Sequence, residues 1–489
     1  MTIFHDRFAQ GLQEDNPWWD TGKIGQELPS FKRSDYQHYA QELDSARVCV
    51  MIGPRRVGKT TLIHQLIEYL LNEKKVDPKT ILFASLERYY FAFLPDGSES
   101  SLDTALQFFI ERVYQKPLAN AEQMLYFFID EAHYDPKWAR ILKQLVDQKR
   151  NVHVIASGSS AVALDRDLES GVGRFKRYQM VTMKLRDVIR KRYPHYETQI
   201  DTISRTLRDS FKESCSQKSH KPYETAIKNL AIDPDILACI KSSLDDYLLR
   251  GGYPEFYSGN KNWKDISRDY QNNVFDVILQ KDVVRAFEIR LPEKLRRMMI
   301  LLAQETSRPL ARSKIAKNLG FNNEKTVDEY IEALTQAFLI RTSAKFKLQG
   351  FPSSSPKKFY AADTGLRNAI IGVQERGLQN NERGQLLETA VFNHTLRLAF
   401  HIDHEIRNQG YYWEDGEEER DIIMDLRKTY DVVLPIEVKN GHCGDEDIRK
   451  IKGTMSKLKS PFGIVICEGR EGTKDTVLTI PAWIFMLSC

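Results

Sequence analysis

The chain has no run of about 18 uninterrupted apolar residues, the least a membrane span needs, and its first residues, Met1 to Gln13, mix charges with isolated apolar side chains. The sequence therefore predicts neither a transmembrane helix nor an amino-terminal signal peptide, and the expected location is the cytoplasm, with no membrane partner. Cysteine is sparse: Cys49, Cys215, Cys239, Cys443, Cys467 and Cys489 are scattered, none in a C-x-x-C pair and none beside histidines at zinc spacing. That excludes a disulfide framework and a cysteine-based zinc site, and it predicts reduced, mostly buried thiols. An excess of one charge is also missing. A net charge of +4 with 28% charged residues neither demands nor excludes nucleic acid, so the local distribution has to decide. At 489 residues the chain exceeds one ordinary core, and about three domains are expected.

What is present is a phosphate-loop pattern. Gly53 Pro54 Arg55 Arg56 Val57 Gly58 Lys59 Thr60, followed by Thr61, matches G-x-x-x-x-G-K-[ST] in full. Glycines let successive backbone N–H groups turn toward phosphate oxygens. Lys59 then reaches the β/γ-phosphates and the Thr60 hydroxyl holds Mg²⁺. Every residue from Gly53 to Thr61 is a candidate nucleotide contact. The context agrees, because 48–52 reads as a short buried strand and 61–71 as a helix with apolar residues at helical spacing.

A second apolar strand, 125–129, runs into Asp130 and Glu131. Asp130 would support Mg²⁺ through its water shell, and Glu131 would orient or deprotonate the attacking water. This pair, with no N-K-x-D motif to select guanine, points to ATP hydrolysis and away from a GTP switch. The string Asp130 Glu131 Ala132 His133 is also a helicase label, set aside because no second helicase core follows. Ser157, in Ala156 Ser157 Gly158 Ser159 Ser160, is the candidate sensor of the γ-phosphate. Arg174, after Gly171 Val172 Gly173, is a candidate arginine finger acting in cis or toward a neighbouring subunit.

Strands at 48–52, 80–86, 125–129 and 152–156 alternate with helices, which predicts a parallel, doubly wound α/β sheet. The expected order is an amino-terminal segment (1–45) anchored by Trp18 and Trp19, a P-loop domain (46–184), and a helical insert and lid region (185–290) with a long helix at 263–287. Helices at 293–304, 311–319 and 324–338, followed by a β-wing, resemble a winged helix-turn-helix over 291–349. A linker and wing-associated segment (350–383) and a last α/β module (384–489) follow. In that module Asp421 lies on one strand and Glu437-x-Lys439 on the next, where alternation sets Glu437 and Lys439 on one face. Asp421 and Glu437 would supply oxygen ligands to Mg²⁺, Lys439 would orient water or stabilise charge, and Glu388, on the preceding helix, would add a ligand.

Together, the Arg55 Arg56 Val57 form of the loop, Ile129 Asp130 Glu131 with Trp138 beyond, Ser157 Gly158 Ser159 Ser160, Gly173 Arg174, and Gly251 Gly252 Tyr253 Pro254 Glu255 resemble the prokaryotic AAA+ ATPases of the archaeal ATPase group. The resemblance implies an AAA+/ASCE P-loop domain that binds ATP and Mg²⁺. It further implies a winged helix, a carboxy-terminal domain similar to PD-(D/E)xK restriction-endonuclease-like folds, and DNA association; a homo-oligomer or a separate protein is the other partner to consider. Arg420, before Asp421, departs from that family's usual apolar residue.

Overall fold

The computed structural model describes residues 6–94, 100–148, 151–159, 175–348, 355–374, 380–403, 409–416, 418–468 and 472–489. It divides into two compact units, Met1–Val181 and Thr182–Cys489.

In the first unit, apolar runs form β1 (Val48–Ile52), β2 (Ile81–Ser85), β3 (Leu125–Asp130) and β4 (Val152–Gly158), with every residue buried. Burial on both faces is why these strands read as continuous apolar runs without alternation. A fifth strand, β5 (Phe175–Gln179), completes an all-parallel sheet of order β2-β3-β4-β1-β5. Only Tyr178 of β5 is buried, and its Lys and Arg residues suit an edge, so no apolar run announces it. The helix after the loop, α1 (Lys59–Asn72), buries Leu62, Ile63, Leu66, Ile67 and Leu70. The opposite edge, β2, is covered by the amino-terminal segment. The Asn16 side chain donates to Phe83 O at 2.8 Å and accepts from Phe83 N at 2.7 Å, while the Trp18 and Trp19 indoles donate to Ile81 O at 3.1 and 2.7 Å. Unpaired strand groups that would otherwise recruit another chain are thereby satisfied.

The second unit begins with helices and includes α2 (Pro234–Arg250) and a helical run at 263–286 that contains two π segments, Tyr270–Phe275 and Ile278–Val283. Then come α3 (Pro292–Gln304), strand β6 (Pro309–Leu310), α4 (Arg312–Leu319), α5 (Glu324–Gln336), β7 (Ile340–Lys345) and β8 (Lys357–Ala361). Asn323 caps α5 through its side chain, and Gly320 closes α4 in the left-handed conformation. The chain continues through α6 (Asn380–Asp403), β9 (Gln409–Asp415), β10 (Glu418–Asp425), β11 (Val433–Val438), α7 (Asp445–Leu458), β12 (Gly463–Ile466), β13 (Gly472–Lys474) and β14 (Val477–Ile480).

The segment 350–383, expected as a linker and wing-associated segment, contains β8, which pairs antiparallel with both β7 and β6. Strand β7 in turn pairs in parallel with β9, from Thr342↔Gln409 to Lys345↔Tyr412. One nine-stranded sheet, β13-β14-β12-β11-β10-β9-β7-β8-β6, therefore runs through what read as a wing, a linker and a last module. Two lysines at the start of β8 give it the look of an exposed turn, yet Lys358 is buried.

Candidate functional site

Strand β1 delivers the phosphate loop to the N-terminus of α1, where backbone N–H groups and the helix dipole favour an anion. Gly53 has no room for a side chain, since a Cβ there would meet Met180 O at 1.8 Å. Gly58 turns the chain at φ +96°, which side-chain-bearing residues rarely adopt. Inside the loop, Lys59 Nζ donates to Gly53 O at 2.8 Å and Pro54 O at 2.9 Å, a buried ammonium held on carbonyls. Arg55 pairs with Glu87 at 3.1 Å. Pro54 and Val57 are buried, while Arg56 and Thr60 are exposed.

Thr60 Oγ1 donates to Asp130 Oδ2 at 2.8 Å, and the Ser157 hydroxyl donates to Asp130 Oδ1. Glu131 N donates to Ser157 Oγ at 3.3 Å. Thr60, Asp130, Glu131 and Ser157 therefore form one connected set at the ends of β3 and β4. Burial first, and the Glu131 charge second, raise the Asp130 pKa above its ordinary value, so the pair is short of positive charge where Mg²⁺ would bind. Glu131 sits at φ +50° with its Oε2 buried and without a hydrogen-bond partner. An acidic side chain in that conformation, with a free acceptor, is stored strain of the kind found at functional sites. His133 Nδ1 lies 3.4 Å from that oxygen. Burial, with Arg55 and Lys59, pushes the His133 pKa down to about 4, which keeps the imidazole neutral at pH 7. These residues fit a Mg²⁺-nucleotide: a cradle with no room for a Cβ at Gly53, a cation for phosphate, a hydroxyl and carboxylate for the metal, and a carboxylate with an unused lone pair.

Sequence reasoning missed Arg33, which lies in the amino-terminal segment. Its guanidinium donates to Val57 O and Val181 O, each at 2.7 Å, and so pins the loop from behind. Nothing in a lone arginine before the first strand signals this. Ser160 and Arg174, with Gly171 Val172 Gly173, lie outside the described residues.

In the second unit, the Ile422↔Ile436 register sets Asp421 across from Glu437. Val438 N donates to Asp421 Oδ2 at 2.9 Å, and Lys439 Nζ pairs with Glu437 Oε1 at 2.8 Å and with Asp447 Oδ1 at 3.5 Å. Glu388, from α6, accepts from the Tyr360 hydroxyl at 2.7 Å. Burial and then the Asp421 charge raise Glu388 to about 8 and Glu437 to about 7. Glu388, Glu419 and Asp421 line a cavity of about 640 Å³ together with Lys358, Val438 and Asn440, whereas Glu437 and Lys439 are not among its lining residues. Sequence reasoning missed a further member. Lys358, on β8, is 1% exposed with its ammonium 2.6 Å from Glu419 Oε1, 3.4 Å from Glu388 Oε1 and 3.6 Å from Asp421 Oδ1. Burial opposes its charge, yet Glu388, Asp421 and Glu419 raise its pKa well above the usual lysine value. Among the described residues no group of three or more His, Cys, Asp or Glu side chains could hold a metal ion. Arg420 is buried and donates to Lys450 O at 2.9 Å.

A parallel sheet with a phosphate loop at the head of its first helix, and a Thr/Asp/Glu set beside it, defines a P-loop domain. Residues 45–189 match the family described as AAA domain, so the protein carries a P-loop domain of AAA type. Residues 241–377 match a family described as Domain of unknown function (DUF8612). An uncharacterized protein of Haemophilus influenzae is 22% identical over 377 residues, or 75% of this chain and 80% of that one. One from Methanocaldococcus jannaschii is 22% identical over 471 residues, or 93% and 89%. A solved structure of the Aeropyrum pernix ORC1 protein in complex with DNA aligns at 9% identity and TM-score 0.31, covering 72% of this chain and 95% of that one, a likeness too loose to argue from. Among the described residues no helix is long and apolar enough to cross a membrane.

Proposed function

We propose that the chain hydrolyses ATP with Mg²⁺ in its first unit and uses the nucleotide state to control how its second unit engages DNA. The observation that carries the ATPase reading is the connected Thr60, Asp130, Ser157 and Glu131 set beside a phosphate loop whose lysine is in place. Lys59 binds the phosphates, Thr60 and Asp130 hold the metal, Glu131 activates water, Ser157 aligns Asp130 and Glu131, and Arg174 is the candidate finger. Lys59→Ala is expected to abolish binding of a fluorescent ATP analogue; unchanged affinity would refute the assignment.

The element order helix, strand, helix, helix, strand, strand across α3 to β8 supports a winged-helix reading of this region. Its charge pattern favours α4 over α5 for that contact. Helix α5 carries Glu324, Asp328, Glu329 and Glu332 against Lys325 alone, whereas α4 carries Arg312, Lys314 and Lys317 with no acid. Phosphates repel the first face and attract the second. Lys314 and Lys317 are exposed, while Arg312 is paired with Asp328 at 2.7 Å. The double variant Lys314→Glu/Lys317→Glu is expected to weaken duplex DNA binding at least about tenfold and to flatten the slope of log affinity against log salt by about 1.8. Unchanged binding, or none by the wild type, would contradict DNA docking through α4.

A second reading, metal-dependent cleavage at Asp421, Glu437 and Lys439, is favoured by one observation. The Glu437 Oε2 is buried and has no hydrogen-bond partner.

A further inference from the structure

The acidic pocket of the second unit already contains a cation. Carboxylate oxygens bind Mg²⁺ at about 2.0–2.1 Å and larger divalent cations somewhat farther out, so a metal shared by Glu388 and Asp421 would have to sit between them. That volume is where the Lys358 ammonium lies, in reach of Glu388, Asp421 and Glu419 at once. An ammonium and a divalent ion cannot share it, because like charges a few ångströms apart in a buried pocket repel strongly. Nor is Lys358 free to leave. Its backbone is fixed between two neighbours, across from Ser343 on β7 and Pro309 on β6. Two residues on, Tyr360 points the same way, donates to the same Glu388 oxygen and stacks on Phe392 with ring centroids 3.9 Å apart. The strand thus presents a lysine and a tyrosine together to one carboxylate, as a built arrangement and not a chance surface contact.

We propose that Lys358 is the resident cation of this pocket, holding the place between Glu388 and Asp421 that a divalent metal would occupy. The carboxylates are then neutralised by the protein itself. Glu388 and Asp421 cannot share a metal while Lys358 lies between them, and Glu437 keeps Lys439 as its partner. This inference is independent of the ATPase reading of the first unit, because its test uses no nucleotide.

The test is a Mn²⁺ titration of the nucleotide-free full chain, with free Mn²⁺ followed by electron paramagnetic resonance. Wild type and Asp421→Asn should bind the same small amount. Lys358→Met should gain a site at least about tenfold tighter than any in the wild type, and Lys358→Met/Asp421→Asn should lose it. The gained site should also raise the melting temperature of Lys358→Met with added Mn²⁺, with no such shift in the wild type. Circular dichroism checks folding, and Lys358→Gln, which keeps a hydrogen-bond donor, replaces Lys358→Met if the latter does not fold. A saturable wild-type site that Asp421→Asn removes would overturn the proposal, as would a folded Lys358 variant that gains none. The first of those results would favour the cleavage reading.

Discussion

Replacing Glu131 by Gln is expected to slow ATP turnover by about 10²- to 10⁴-fold while nucleotide binding survives. Glutamine keeps the size and polarity of the side chain but cannot take a proton from water. The Glu131 carboxylate is held off the solvent, its Oε2 has no donor, and its backbone is kept at φ +50°. The His133 imidazole 3.4 Å from it is neutral at pH 7. Asp130, by contrast, is spent on the Thr60 and Ser157 hydroxyls. The two adjacent carboxylates therefore have different work: one holds and the other reacts. Phosphate release, paired with affinity for an ATP analogue, checks this. Normal turnover in Glu131→Gln would remove Glu131 from the chemistry.

The second large effect concerns stability. Asp363→Ala is expected to destabilise the second unit by about 3 kcal/mol or more, because it strands several buried donors at once. Asp363 is 3% exposed and accepts from Gly252 N at 2.7 Å, Leu366 N at 3.0 Å and the Tyr270 hydroxyl at 2.9 Å. It thereby ties the Gly251–Gly252 turn, the first π segment and the start of the helix Thr364–Ile371 to one carboxylate. Burial raises its pKa even with these donors in place, so the charge is costly and persists only because the donors surround it. Thermal unfolding of Asp363→Ala against wild type reads the loss; an unchanged transition would mean that water replaces the carboxylate at little cost.

Much of the first unit was legible in the sequence because its strands are buried on both faces and its chemistry is local. Gly53 to Thr61 and Asp130 Glu131 are contiguous strings, and the strands that carry them are unbroken apolar runs. What escaped was long-range or disguised. Strand β5 is half solvent and carries Lys176 and Arg177, so it reads as a loop. Arg33 reaches the loop across 24 residues of chain, a distance no local pattern encodes. In the second unit, Asp421, Glu437 and Lys439 were visible from strand alternation, and Glu388 from its helix. Lys358 was not, since a lysine in an expected linker and wing-associated segment has every local reason to be exposed, and only the pairing of β8 with β7 and β6 buries it. The Gly251–Gly252 turn stood out as a motif, but its hydrogen bond to Asp363 spans 111 residues, and its purpose emerges only from the fold.

The most direct measurement is Mg²⁺-dependent phosphate release from ATP by the full chain, run beside Lys59→Ala. The account expects turnover by the wild type that stops without Mg²⁺ and is absent in Lys59→Ala. No turnover by the wild type, or equal turnover by the variant, would contradict it.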